Sequence, residues 1–145
     1  MTPGPVGEIH RIVNRVLTAP GRFTEDSVSE ACSVTLRKRV RTNPYMHEFE
    51  AHPEAGPFST ITFRGAAGSS GRPSLVIMDV SAECRVTRSD LADSFRLSFE
   101  RVHVNPRIPP EGVISFEEEH GCRTLHLQFT AESEILRSIS VHEAP

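Results

Sequence analysis

The stretch Val113-Ile-Ser-Phe-Glu-Glu-Glu-His-Gly-Cys-Arg-Thr-Leu-His-Leu-Gln-Phe129 decides the fold. It predicts two β-strands joined by a tight turn at His120-Gly121. Strand side chains alternate between two faces, so a register in which Glu119 faces Cys122 makes both strands amphipathic together. The predicted apolar face holds Ile114, Phe116, Leu125 and Leu127, and the polar face holds Ser115, Glu117, Thr124, His126 and Gln128. An antiparallel sheet with one apolar face needs a second layer to cover that face.

Length and composition predict one soluble domain that spans residues 1–145. A chain of 145 residues with 37% hydrophobic and 24% charged residues is typical of a single folded domain. No apolar run reaches the roughly 20 residues of a membrane helix, and no signal peptide is visible at the start. Three cysteines without a C-x-x-C pair favour free thiols in a reducing compartment. We therefore expect a cytoplasmic protein without membrane association, and the excess of Arg, Ala and Pro over Lys indicates a bacterial source.

The N-terminal third of the chain predicts the covering layer. Apolar residues recur at helical spacing through residues 6–17, which predicts an amphipathic helix that packs on the sheet. Thr24 followed by two acidic residues predicts the start of a second helix. Over residues 33–41 the pattern fits either a continuation of that helix or a short helix followed by a strand. We favour the continuous helix.

Alternating apolar residues predict about six strands in the rest of the chain. The fold class is therefore α+β, with one or two N-terminal helices packed on a curved, mainly antiparallel sheet. This order of elements, with the hairpin near the end, resembles cystatin-like and NTF2-like folds, in which helices pack into a bent sheet. The resemblance implies a layout and no function. The predicted strands cover residues 45–51, 58–64, 74–86, 95–104 with a bulge, the hairpin, and 135–141.

A group of glutamates predicts an acidic edge of the sheet. The net charge of −3 is uneven, because residues 1–44 carry +3 and residues 45–145 carry −6. Charges on an edge strand prevent aggregation, and the same surface can dock a basic protein such as a nuclease or other toxin. The predicted partner-binding residues are Glu100, Glu111, Glu117, Glu118 and Glu119.

The alternative hypothesis is a catalytic site formed by His126, Asp79 and Glu83. The two acids fall four residues apart on one predicted strand, hence on one face and about 13 Å apart. His126 faces Ser115 and Glu117 across the hairpin. In an NTF2-like cone this face lines a pocket, where a histidine and an acid can transfer protons. The competing interpretation is a polar strand that faces solvent.

The sequence supports metal, cofactor and nucleic-acid sites less than it supports protein binding or the catalytic set. No histidine spacing matches a zinc motif, and the glycine-rich loop at residues 65–73 lacks the helix and the lysine of a phosphate loop. We therefore predict no metal and no cofactor. A single basic cluster is the candidate for nucleic-acid contact, but the absence of Trp and the single Tyr argue against a base-stacking surface. Its members are Arg37, Lys38, Arg39 and Arg41.

Together these patterns predict a protein-binding module rather than an enzyme. The expected form is an immunity-type inhibitor or a secretion chaperone that docks a protein partner through the acidic edge. The rival hypothesis is an NTF2-like pocket protein that binds a small molecule or acts as an isomerase or hydrolase-like enzyme. A homodimer that closes the sheet edge is a further alternative.

Overall fold

A computed structural model describes residues 4–38, 46–66, 74–91, 95, 102–105, 107 and 112–144. These residues form helices and strands that make one antiparallel sheet, so the α+β prediction is confirmed. The helices are α1 (Pro5–Thr18), α2 (Glu25–Cys32) and α3 (Arg88–Leu91). The strands are β1 (Arg37–Lys38), β2 (Met46–Ala51), β3 (Phe58–Ala66), β4 (Ser74–Val80), β5 (Val102–Asn105), β6 (Val113–His120), β7 (Arg123–Thr130) and β8 (Leu136–Glu143).

The strand order across the sheet is β1-β2-β3-β4-β8-β7-β6-β5. The chain forms β1 to β4 in sequence and then adds β5 to β8 in the reverse order, so the last strand pairs with β4 in the middle of the sheet. The described residues form eight strands, and β2 to β8 overlap the stretches predicted as strands. The two-residue strand β1 is the addition, because only its pairing with β2 reveals so short a strand.

Helix α1 covers one face of the sheet, as its periodicity predicts. Pro5 stands in the first turn, where its missing N–H needs no partner. The stripe of Ile9, Ile12, Val13 and Val16 is buried, and it belongs to one continuous core with the apolar side chains of the strands. The longest described helix has 14 residues. None of the helices in the described ranges has the length and apolarity needed to cross a membrane.

Helix α2 is short, so the prediction of a helix over residues 33–41 is wrong. The helix ends at Cys32 because Ser33 adopts the left-handed conformation, with φ at 56°. The chain then becomes extended, Leu36 enters the core, and β1 pairs with β2. The alternative of a short helix followed by a strand is confirmed to residue 38. Residues 39–45 lie outside the described part of the chain.

The predicted start of α2 is confirmed in atomic detail. The Thr24 hydroxyl accepts a hydrogen bond from the backbone N–H of Ser27 at 3.0 Å. The Ser27 hydroxyl in turn accepts one from the backbone N–H of Thr24 at 2.9 Å. This capping box satisfies two backbone donors that a helix start leaves without intrahelical partners.

Thr24→Ala removes one of these acceptors and should lower the free energy of unfolding by about 1 kcal/mol. Urea unfolding followed by circular dichroism measures the change. Asn14→Ala, on the exposed side of α1, is the matched control and should stay within about 0.5 kcal/mol of the wild type. Equal effects of the two substitutions would show that the capping box adds nothing.

The hairpin has the predicted faces but a different register. His120 pairs with Arg123, and Phe116 pairs with Leu127, so the pairing is shifted by two residues from the predicted one. A shift of two preserves the face of every side chain. The turn residues are Gly121 and Cys122, and Gly121 has a φ of 64° that favours glycine.

A buried ion pair joins the hairpin to the helices. The Arg123 Nε donates to Glu143 Oε2 at 2.9 Å, and the two side chains are 6% and 1% exposed. The same guanidinium donates to four backbone carbonyls at and beyond the C-terminal end of α1. Their residues and distances are Val16 at 3.1 Å, Leu17 at 3.0 Å, Ala19 at 2.7 Å and Gly21 at 2.7 Å. A cation at this position also complements the helix dipole.

Glu143 also contacts the loop between α1 and α2. Its Oε1 accepts a hydrogen bond from the backbone N–H of Phe23 at 3.0 Å. The Phe23 ring lies against the guanidinium of Arg123, 4.1 Å from its central carbon. Arg22 contacts the same carboxylate at 3.2 Å but is 56% exposed. We call Arg123 and Glu143 the buried clamp.

Candidate functional site

The sheet has one face covered by helices and one without them. Helix α3 lies on the covered side with the other two, because Arg88 stacks over the inward-facing ring of Phe116 at 4.7 Å. On the opposite side, strands β6, β7 and β8 present polar side chains that alternate with the buried ones. We call this set the open face. It consists of Ser115, Glu117, Glu119, Thr124, His126, Gln128, Ser138, Ser140 and His142.

Two imidazole rings and a carboxylate meet near the centre of the open face. His126 pairs directly with Glu117 on one side and with Ser140 on the other. Its Nε2 lies 3.6 Å from Glu117 Oε1. The ring of His142 is its diagonal neighbour on β8, with ring centroids 4.6 Å apart in an edge-to-face arrangement. We call Glu117, His126 and His142 the histidine cluster.

The environment favours the neutral form of one of these rings. Burial lowers the pKa of His142 below its ordinary value of 6.5, and the nearby carboxylate of Glu117 opposes that change to a smaller extent. At neutral pH His142 is therefore uncharged, with one ring nitrogen able to donate a hydrogen bond and the other able to accept one.

Acidification should therefore destabilise the protein through His142. A pKa lowered by folding means that the unfolded chain binds the proton more tightly. The free energy of unfolding consequently falls as the pH drops through 6.5 and levels off below the folded pKa. NMR titration of the ring should give a midpoint below 6.5. His142→Gln should reduce the loss of stability between pH 7 and 5.5, and a midpoint at or above 6.5 would contradict this account.

The acidic run does not form one surface. Strand alternation places Glu117 and Glu119 on the open face and Glu118 on the covered side, where its Oε1 lies 2.7 Å from His120 Nε2. The edge strand on this side is β5, which pairs with residues 113–116 of β6. The described part of β5 does not extend along residues 117–119, so the prediction that the run lies at an edge of the sheet stays a prediction. Glu100 and Glu111 lie outside the described residues.

The alternative catalytic set is spread over the molecule. Strand β4 ends at Val80 instead of continuing to residue 86, so the prediction that Asp79 and Glu83 share a strand is wrong. Glu83 lies exposed in the turn after the strand. Asp79 and His126 share one side of the sheet, but β8 separates their strands, which puts them roughly 10 Å apart. Burial raises the pKa of Asp79, and Arg137 opposes that change.

The basic cluster is described only in part. Arg37 and Lys38 form β1, where both are exposed. Arg39 and Arg41 lie outside the described residues. Nucleic-acid contact through these four residues stays a prediction.

Two features of the site were missed in the sequence. Strands β7 and β8 are consecutive and joined by residues 131–135, but the sequence analysis did not derive the register that places His142 beside His126. The pairing of Arg123 with Glu143 was missed for the same reason. Arg123 begins β7 and Glu143 ends β8, and each looks like an ordinary surface charge in the sequence.

No group of three His, Cys, Asp or Glu side chains in the described part of the chain is arranged to hold a metal ion. Three cavities lie near α1, α2 and β2, away from His126, Asp79 and Glu83. Comparison with protein-family models, curated proteins and solved structures finds no match to this chain. The geometry of the open face is thus the basis for a functional proposal.

Proposed function

We propose that this chain is a binding protein whose open face docks a basic protein partner. The observation that carries the proposal is the open face itself. It spans three adjacent strands, β6, β7 and β8, and the described helices lie on the other side of the sheet. The hydroxyl, amide and imidazole groups of this face can donate and accept hydrogen bonds, and its carboxylates can pair with cationic side chains of a partner.

Charge supports a basic partner. Two of the nine open-face residues, Glu117 and Glu119, are carboxylates and none is lysine or arginine. The arginine of β8, Arg137, lies near the carboxylate of Asp79 on the same side of the sheet. Residues 113–144 as a whole carry six acidic and two basic side chains. The buried clamp neutralises one of each, so the outer surface of this part of the chain is clearly negative. Such a field speeds the encounter with a positively charged partner and disfavours acidic proteins.

The finer proposal concerns the kind of partner. A basic nuclease or other toxin held by an immunity-type inhibitor fits this charge, and so does a secretion substrate held by a chaperone. In either case we propose that the protein works in a bacterial cytoplasm as a stoichiometric binder. The acidic surface is then the part of the open face around Glu117 and Glu119, beyond the described pairing of β5 with β6.

Ser140→Arg tests this proposal. Residue 140 lies beside His126 in the middle of the open face, so an added guanidinium obstructs the surface and repels a basic partner. The matched control is Ser89→Arg, an exposed position on α3, on the covered side. Tagged wild type and both variants are used to capture proteins from the native host, and the captured proteins are quantified by mass spectrometry.

The expected result is a basic protein recovered in stoichiometric amount by the wild type and by Ser89→Arg, and reduced at least tenfold by Ser140→Arg. Circular dichroism melting checks that both variants fold. Equal capture by Ser140→Arg, or an acidic partner, would overturn the proposal.

The histidine cluster favours a second candidate, a small-molecule site that uses proton transfer. A carboxylate 3.6 Å from an imidazole can orient the ring and stabilise its protonated form, as in general acid–base catalysis. A ligand screen by thermal shift compares the wild type with His126→Ala. A ligand that stabilises only the wild type would support this function, whereas equal responses of the two proteins would exclude it.

A further inference from the structure

A cleft lies at the β1 and β2 edge of the sheet, whereas the open face is on strands β6, β7 and β8. It separates residues 33–37, which follow α2, from residues 50–55, which connect β2 to β3, and its volume is about 610 Å³. A smaller cavity of about 120 Å³ shares Ser33, Val34, Pro53 and Ala55 with the cleft. The two volumes are therefore adjacent, and the smaller one extends inward towards α1.

The first wall of the cleft is held from behind. The Val34 N–H donates to the Ser29 carbonyl at 3.0 Å, and the Arg15 guanidinium donates to the Ser33 hydroxyl at 3.1 Å. Ser33 itself takes the left-handed conformation that ends α2. These contacts attach residues 33–34 to the helices rather than to the facing segment.

The second wall is stiffened by its own sequence. Pro53 and Pro57 restrict the backbone, and Gly56 between them has a φ of 91°. The Ser81 N–H donates to the Pro57 carbonyl at 2.8 Å, which fixes the end of the loop to the turn after β4. Both walls are therefore anchored independently of each other.

The two walls diverge because strand pairing stops early. Strands β1 and β2 pair at Arg37 with Glu50 and at Lys38 with Phe49. Beyond this point, no hydrogen bond in the described structure joins residues 33–35 to residues 52–55. The N–H groups of Ser33, Val34 and Leu36 already donate to residues of α2, so an added extended segment would form main-chain hydrogen bonds with the other backbone groups of the two walls.

The smaller cavity has an apolar interior. Ile12, Cys32, Phe58 and Ile61 line its inner side, and all four are buried. The ion pair of Arg11 with Glu8 also borders this cavity. Burial raises the pKa of the Cys32 thiol to about 12, so this wall stays uncharged. A volume of 120 Å³ is about four times the roughly 30 Å³ that one water occupies, which suits the four carbons of a leucine side chain.

The rim of the cleft contains both basic and acidic side chains. Arg37 and His52 stand with Glu50 and Glu54 around the larger volume. A mixed rim suits a polar peptide main chain with varied side chains better than it suits a ligand of one charge.

We propose that this cleft binds an extended peptide segment of a partner protein, with one leucine-sized aliphatic side chain inserted into the smaller cavity. The peptide main chain runs between residues 33–37 and 50–55. This site lies on the β1 and β2 half of the sheet, so it does not depend on the docking function of the open face.

Two peptide probes test the proposal without altering the protein. One is a capped pentapeptide of four threonines with a central leucine, and the other has a central alanine. Titration of the isotope-labelled chain with the leucine peptide should shift the amide signals of Val34, Thr35, His52 and Ala55. The alanine peptide should bind about tenfold to a hundredfold more weakly, because it leaves the apolar cavity unfilled.

A substitution at the shared rim provides the second test. Ala55 is exposed and borders both volumes. Ala55→Phe should therefore block the entrance to the smaller cavity and lower the affinity for the leucine peptide at least tenfold. Ala82→Phe, at an exposed position in the turn after β4, is the matched control and should bind like the wild type. Thermal unfolding checks both folds.

The proposal fails if the leucine peptide produces no shifts at millimolar concentration. It also fails if the two peptides bind equally, if the shifts fall outside the two walls, or if Ala55→Phe binds like the wild type.

Discussion

Arg123→Met should lower the free energy of unfolding by about 3–5 kcal/mol. The substitution leaves the carboxylate of Glu143 buried at 1% exposure without its ion-pair partner. It also removes the donors to four backbone carbonyls between Val16 and Gly21. A typical domain is stable by only 5–15 kcal/mol, so this change threatens the folded state itself. Urea unfolding at pH 7 measures the loss.

Arg22→Met is the matched control for the buried clamp. Arg22 contacts the same carboxylate at 3.2 Å, but its side chain is 56% exposed, so water screens the interaction. The expected change is below about 1 kcal/mol. Equal effects of Arg22→Met and Arg123→Met would mean that burial does not determine the strength of these pairs.

The double variant Arg123→Met with Glu143→Leu separates the ion pair from the carbonyl contacts. It removes both charges, so no carboxylate is left buried alone, and it should cost less than the sum of the two single changes. The loss of unfolding free energy that remains in the double variant measures the contribution of the hydrogen bonds to the carbonyls at the end of α1. Strict additivity of the single changes would contradict a direct coupling between the two residues.

Phe129→Ala should lower the free energy of unfolding by about 3–5 kcal/mol. Phe129 is fully buried, and its ring packs edge-to-face on Phe116 with 5.7 Å between centroids. Removal of the ring leaves a cavity between the hairpin and the helices that the core can only partly fill. Thermal and urea unfolding give the change.

Gln128→Ala is the control for Phe129→Ala. The two residues are neighbours in β7, but Gln128 lies on the open face. We expect its effect to stay within about 0.5 kcal/mol. A large effect at residue 128 and a small one at residue 129 would show that the strand is turned over, since a shift of one residue exchanges the two faces.

Local sequence patterns were sufficient to predict the elements whose apolar residues recur with a regular period. The apolar stripe of α1, the helix start at Thr24 and the two faces of the hairpin were all predicted. They depend on helical spacing, on a side-chain hydrogen bond between near neighbours and on strand alternation. Each of these signals is complete within about ten residues.

Two elements were predicted wrongly because their ends depend on distant contacts. Residues 33–38 were assigned to a helix, but the pairing of β1 with β2 and the burial of Leu36 favour the extended form. Strand β4 was extended to residue 86, but the chain turns after Val80, where the Ser81 N–H bonds to the Pro57 carbonyl. In both places tertiary contacts outweigh a weak local preference.

For the candidate site, His126 and Glu117 were identified from the hairpin alone. His142 was not, because its place depends on the pairing of β8 with β7. The cleft at β1 and β2 was also beyond sequence analysis. It exists only because two segments separated by more than ten residues diverge after two paired residues.

The sequence by itself determined which residues of each helix and of the hairpin face the core, because periodicity is a property of neighbouring residues. Only the tertiary structure decided the strand order, the buried clamp and the histidine cluster. Each of these depends on which strands pair and in which register, as Arg123 pairs with Glu143 between β7 and β8. Their pairing is selected by the total apolar surface buried and by the hydrogen bonds that the whole sheet satisfies, and no short stretch of sequence contains that information.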